Sequence, residues 1–332
     1  MLSHRIALFI NAGTVAAILV FLPAQTSVGP VSGLTSNVDR VVQTATNSSR
    51  EEAAKTHNPT VKTHRLERTD TYSAPSTGDG RVYTSTALAH GLATVGVTWT
   101  QALGSDPVNV SIRTHNEGSW SSWTLHDADR GTPPTQVATD PVYVGDVDRV
   151  EAEVTVPEGL PVSGFKLVVI DPGYATHPST ASVTTSSTAS TALANPRTAN
   201  PNTSLSTGRS ATIRPASVVT PNGQTIHTRE VWWEKGDPDM TWTPDRSGSW
   251  QGAVVHHTDG SNDYAQWEVP AIINGIYVYH NRTRHWGDIG YNFLVDKYGG
   301  IWEGRDEGVA NQVVQASEVV GAHTKHLSLI QI

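Results

Sequence analysis

Apolar residues recur along this chain with two different periods, and the change between them divides it. Between residues 81 and 173 short runs alternate: Val95, Val97 and Trp99, then Val108, Val110 and Ile112, then Val150, Ala152, Val154 and Val156, then Phe165, Leu167 and Val169. Gly, Pro and Asp separate the runs. A period of two in segments this short predicts half-buried antiparallel strands, and an all-β sandwich-like domain is their economical packing. From residue 226 onward the pattern changes. Gly252 to Val255 reads as a buried strand ending at His256 and His257. Ile272, Ile273, Ile276 and Tyr279 have helical spacing, which predicts a helix over 269–279 although Gly275 costs ~1 kcal/mol against Ala. Tyr291 to Asp296 and Ile301 to Gly304 read as strands joined by a tight Tyr298-Gly299-Gly300 turn. Strand, helix and hairpin together predict an α/β domain over 226–332, a mixed central sheet flanked by helices.

The flanking segments read differently. Residues 1–30 have a short basic start, an apolar run from Ile6 to Leu22 and a small-residue exit, the layout of a secretory signal peptide. An uncleaved signal anchor competes, since the run approaches the ~20 residues of a membrane span. Asn11 and Gly13 interrupt it and favour cleavage, leaving no stable membrane span. Residues 31–80 are polar with little periodicity and read as a disordered lead-in. Residues 174–225 are rich in Ser, Thr, Ala, Asn and Pro and read as an extended linker.

Composition narrows the chemistry. The chain of 332 residues carries a formal net charge of −8 and no cysteine. Disulfides, thiolate metal sites and cysteine nucleophiles are therefore excluded, and no general basic field is available for nucleic acid. Arg282, Arg284, Lys297 and Arg305 form a local basic cluster that fits either an acidic ligand or a solvated face. Trp120 and Trp123 fit either a carbohydrate platform or core packing, the second being favoured. His115 and His126 read as ordinary surface or strand-end residues.

The histidine pair after the first strand of 226–332 carries the chemical information. Successive strand side chains point to opposite faces, so only one of His256 and His257 faces a cleft directly. No His-Glu-x-x-His is present, and a zinc site here would gather ligands from separate elements. Catalytic zinc keeps three protein ligands and one water, whose pKa it lowers to about 7. A nearby tyrosine would then serve the tetrahedral intermediate of an acyl transfer.

Taken in order, Val254-Val255-His256-His257-Thr258, Tyr279-His280, Trp286-Gly287-Asp288-Ile289-Gly290-Tyr291-Asn292-Phe293, Gly300-Ile301-Trp302-Glu303-Gly304-Arg305 and Gly321-Ala322-His323 form a specific series. It resembles the type 2 N-acetylmuramoyl-L-alanine amidases, the family that includes the peptidoglycan recognition proteins. The upstream β domain and linker look like those of secreted members. The resemblance implies a zinc-dependent hydrolase of the lactyl–L-Ala amide of peptidoglycan, acting as a monomer, secreted or at the cell wall. It places Zn2+ on His256, makes Tyr291 catalytic, puts His280 and His323 along a muramyl-peptide groove, and leaves His257 and Arg305 as groove residues or its structural support. Asp288 would hold the turn before Tyr291.

One departure matters. In the family, the Gly-Ala-His segment leads into a strand with an Asn-x-x-Ser-x-Gly-Ile pattern, a helix, a second zinc histidine and a Cys or Asp ligand. Here Lys325-His326-Leu327-Ser328-Leu329-Ile330-Gln331-Ile332 follows instead. The expectation is a C-terminally truncated amidase domain with an exposed sheet edge, too few zinc ligands and little hydrolytic activity. A non-catalytic peptidoglycan-binding protein is the alternative, and a β-rich surface adhesin with a relict amidase-like part a third reading.

Overall fold

The computed structural model describes residues 54–71, 74, 80–131, 133–176, 216–220, 222–241, 252–306 and 326–332. The signal peptide expected over 1–30 and most of the linker lie outside these residues. The described residues are mostly β-sheet with one α-helix.

The alternating segments form two sheets. Their strands are β1 (Thr60–Arg65), β2 (Glu67–Thr69), β3 (Arg81–Leu88), β4 (Leu92–Gln101), β5 (Val110–Asn116), β6 (Ser119–Trp120), β7 (Thr124–His126), β8 (Ala128–Arg130), β9 (Gln136–Thr139), β10 (Val142–Asp146), β11 (Arg149–Val156) and β12 (Val162–Asp171). One sheet has the order β1-β12-β4-β9-β8 with β10 also on β4, and the other the order β2-β3-β11-β5-β6 with β7 on β5. Val95, Val97, Leu167 and Val169 of the first meet Val110, Ile112, Val150 and Ala152 of the second in one apolar core. Residues 60–69, read from sequence as part of a disordered lead-in, instead supply β1 and β2. β1 runs antiparallel to β12 over its whole length while its side chains stay largely exposed. Backbone pairing holds an edge strand without an apolar pattern to announce it.

The remaining elements are β13 (Ser217–Val219), β14 (Thr225–His227), β15 (Gly252–His257), α1 (Val269–Val278) with a π turn over Tyr279–Thr283, β16 (Phe293–Val295), β17 (Ile301–Glu303) and β18 (His326–Gln331). Their sheet has the order β13-β14-β17-β16-β18-β15 and mixes parallel with antiparallel pairs. Three expectations change. The stretch 174–225, read as linker, contributes β13 and the first residue of β14. Residues 326–331 form β18, parallel to both β15 and β16, where the motif comparison left no strand. And β15, expected to be buried, lies at the sheet edge with Val255 66% exposed. It pairs only with β18 among the described residues. Helices flanking the sheet on both sides are not seen among those residues; α1 alone packs there, so an α/β amidase fold is a larger claim than the observed mixed sheet with one helix.

The helix is the structural pivot. All ten residues of α1 are buried, the mark of a helix enclosed on every side. One side meets Leu294, Trp302 and Ile330 of its own sheet together with Trp232 of the segment after β14; the other joins Leu92, Val168 and Ile170 of the sandwich in the same apolar cluster. Strand alternation explains the sharing. In β4 the odd positions enter the sandwich core, and the even positions Leu92, Thr94 and Gly96 face the helix. Gly275, unfavourable by helix propensity, sits where a methyl group would strike the Thr94 side chain. A Cβ on Gly96 would lie 2.6 Å from Cε2 of Tyr279, whose hydroxyl donates to the Thr139 carbonyl at 3.0 Å. Tyr174 donates to the Trp232 carbonyl at 2.8 Å, and Lys55 pairs with buried Asp237. Residues Ser48–Ile332 accordingly form one compact unit.

Overpacking of this kind costs about 1–3 kcal/mol. Gly96→Ala is expected to lower unfolding stability by that amount in urea denaturation, and an unchanged midpoint would contradict the close packing of Tyr279 on β4.

Candidate functional site

Tyr291 lies just before β16, and its backbone is fixed from two sides. The Arg305 amide donates to its carbonyl at 2.8 Å. The next residue, Asn292, exchanges bonds with β18: its amide donates to the Ser328 carbonyl, and the Ser328 amide donates to Asn292 Oδ1, each at 2.9 Å. On the other side of β18, β15 carries His256 opposite Ile330. The two side chains converge, with 3.0 Å between Tyr291 Oη and His256 Nδ1 and the rings edge to face at 5.8 Å between centroids. His256 is exposed, whereas Tyr291 is only 5% exposed.

Burial pushes the Tyr291 phenol well above its ordinary value, the carboxylates of Asp140 and Asp129 push the same way, and Arg284 opposes them. The phenol therefore keeps its proton at neutral pH and donates it to His256 Nδ1 when the imidazole carries its hydrogen on Nε2. The pair offers a neutral phenol beside an accessible imidazole edge, a donor–acceptor set suited to an amide or a glycan hydroxyl.

The other sequence-derived candidates fall in different places. His257 is exposed, and its Nδ1 reaches the Thr258 carbonyl at 3.1 Å, away from the pair. His280 is buried in the π turn, where it lies 4.5 Å from Trp286 between ring centroids and accepts from the Gly290 amide at 3.3 Å. Its ring centroid is 6.1 Å from that of Tyr291. It is packed beside the tyrosine ring and is not exposed among the described residues. Arg305 is likewise 5% exposed. Burial brings its guanidinium down to about 10, with Asp288 opposing and Arg229 reinforcing the change. Asp288 caps the turn as the sequence suggested, accepting from the Ile289 amide at 2.7 Å, the Asp306 amide at 2.9 Å and Arg229 Nη1 at 2.8 Å. His323 lies outside the described residues.

Several contributors escaped the sequence reading. Arg229 ties Asp288 to the Gly304 carbonyl at 2.9 Å and lies over the Trp232 and Tyr277 rings. Asp140, directly after β9 of the sandwich, interacts electrostatically with both His256 and Tyr291. His126 of β7, read as an ordinary strand-end residue, is buried and lies 3.2 Å from Asp259, in the loop that follows His257. No local motif marks Asp140 and His126, because they come from the other half of the chain, and Arg229 lies well before the motif series begins.

Comparison with known proteins gives two separate matches. A family model described as Rv3811 N-terminal galactose-binding domain-like matches residues 39–203. Over 83 residues the chain is 34% identical to peptidoglycan-recognition protein SC1a/b of Drosophila simulans and equally to peptidoglycan-recognition protein SC1a of Drosophila melanogaster. Each match covers 25% of this chain and 43% of the relative, so the chain spans less than half the length of those relatives. Among solved structures, a Drosophila PGRP-LB variant in complex with tracheal cytotoxin is similar at 21% identity, with a TM-score of 0.25, over 32% of this chain and 59% of that one. The chain is thus partly and distantly similar to peptidoglycan-recognition proteins, alongside a galactose-binding-like N-terminal part.

Burial and the charges of Arg284 and Arg305 hold His280 well below the usual histidine value. Above about pH 6.5 it is neutral both folded and unfolded; below that the unfolded chain takes up the proton first, so stability falls by up to about 1.4 kcal/mol per pH unit until the lowered folded value is reached. His280→Gln should flatten this limb in denaturation midpoints measured from pH 7 to 5. Equal slopes in both proteins would place the acid sensitivity elsewhere.

Proposed function

We propose that this chain recognises peptidoglycan, binding a muramyl peptide at the sheet edge that carries His256 and Tyr291. The observation that carries the reading is the 3.0 Å contact between these two side chains, which come from separate motifs of one ordered series. The partial similarity to peptidoglycan-recognition proteins supports the same class of ligand. Secretion to the cell wall is the matching localisation, from the signal-like start of the sequence. Among the described residues no helix is long and apolar enough to cross a membrane.

The finer reading is a zinc amidase cutting the lactyl–L-Ala bond. His256 is the residue that would ligate the zinc, but among the described residues no group of three His, Cys, Asp or Glu is placed to hold a metal ion. The described donor set does not fit a three-ligand site. Recognition is therefore the function proposed first, with hydrolysis as its enzymatic extension.

Calorimetric titration with a soluble muramyl peptide should give saturable binding. His256→Ala and Tyr291→Phe should each weaken it roughly tenfold, about 1.4 kcal/mol. Absence of saturable binding, or binding indifferent to both substitutions, would sink the proposal. Muropeptide analysis with added zinc decides the extension: a newly freed L-Ala amino group, lost in His256→Ala, marks an amidase, and intact muropeptide marks a binding protein.

A further inference from the structure

The basic cluster noted in the sequence is divided by the fold. Lys297 lies over the Tyr264 ring at 4.3 Å, and Arg305 is buried near Asp288. Arg282 and Arg284 go elsewhere. They line a cleft of about 270 Å³ between the π turn and the outer face of the β1-β12-β4-β9 sheet, and Lys166 and His285 line it with them. Thr98 and Thr283 add hydroxyl groups to the same lining. None of its described lining residues is acidic. In a chain of net charge −8, this is a local reversal of sign.

The cations are held ready in different ways. Arg284 is buried; its Nη1 donates to the Ala138 carbonyl at 3.2 Å, and its guanidinium lies 4.9 Å over the Trp286 ring. It also feels the charge of Asp140. Lys166 and Arg282 are exposed, and neither forms an ion pair with a described residue. The backbone here is unusual as well. The residues are presented by a π turn, a rare element that recurs at functional sites, and His285 follows with φ at 57°, left-handed for a non-glycine residue.

We propose that this cleft is a binding site for a small phosphate ester. Three full positive charges around a compact space favour a multiply charged tetrahedral anion over a single carboxylate, because each added charge on the ligand meets a cation already in place. Guanidinium forks match phosphate oxygens two at a time, and threonine hydroxyls complete the donor set. The volume lies just below the ~300 Å³ at which small-molecule sites begin, enough for a phosphate with a short polyol or a single sugar. The site is distinct from the His256–Tyr291 pair, neither member of which lines it.

The test is calorimetric titration of the full chain with inorganic phosphate, glycerol 3-phosphate and a hexose 1-phosphate, at low and high salt. Saturable binding that weakens about tenfold in Lys166→Gln/Arg282→Gln, and that weakens further with salt, supports the proposal. Both residues are exposed, and an unchanged thermal midpoint establishes that the variant is folded. Tighter binding of the hexose ester identifies a sugar carrier, and equal binding of all three identifies the phosphate group alone as the ligand. No saturable binding of any probe up to about 10 mM, or equal affinity in the double variant, overturns it.

Discussion

The burial of α1 between two sheets governs this molecule. A helix that is apolar all round has no stable place on a single sheet, because one of its sides would face water. Here the mixed sheet covers one side, and the even-numbered face of β4 with Val168 and Ile170 of β12 covers the other. The sandwich comes close through β4, where Gly275 of the helix lies against Thr94 and Gly96 leaves room for Tyr279 of the π turn. At roughly 25 cal/mol per Å² of apolar surface, closing ten helical positions from both sides outweighs the propensity cost of one glycine.

The site inherits its order from this arrangement. The π turn continues directly from α1, carries Tyr279 and His280 and is followed by Arg284, so the same packing that seats the helix on β4 also sets His280 beside Tyr291. β18 then spaces β15 from β16 and brings His256 to the phenol. The sandwich reaches the same region through Asp140 and His126. It is a structural wall of the site as well as a neighbouring domain.

Much of this was legible in the residues, and the illegible parts share a cause. Alternating Val95, Val97 and Trp99 announced β4, helical spacing announced α1, and the ordered motifs singled out His256 and Tyr291 before any geometry was known. Leu92, Thr94 and Gly96 gave no warning, since small and polar residues opposite a core face look the same whether they meet water or a helix. β1, β13 and β14 are joined by backbone hydrogen bonds, which carry no side-chain signature. β18 was missed because its sequence departs from the family pattern while keeping the alternation that a strand needs. For His280 and Arg305 the motifs left packing and groove roles open, and their burial is a feature of the fold that motif position does not carry. Asp140 belongs to the site by folding, with well over a hundred residues between it and Tyr291.

The central claim is that one helix makes the sandwich and the mixed sheet a single cooperative unit. Differential scanning calorimetry of the full chain tests this most directly. One unfolding transition is expected, with a calorimetric enthalpy equal to the van't Hoff enthalpy. Two separable transitions, one for each sheet system, would contradict it.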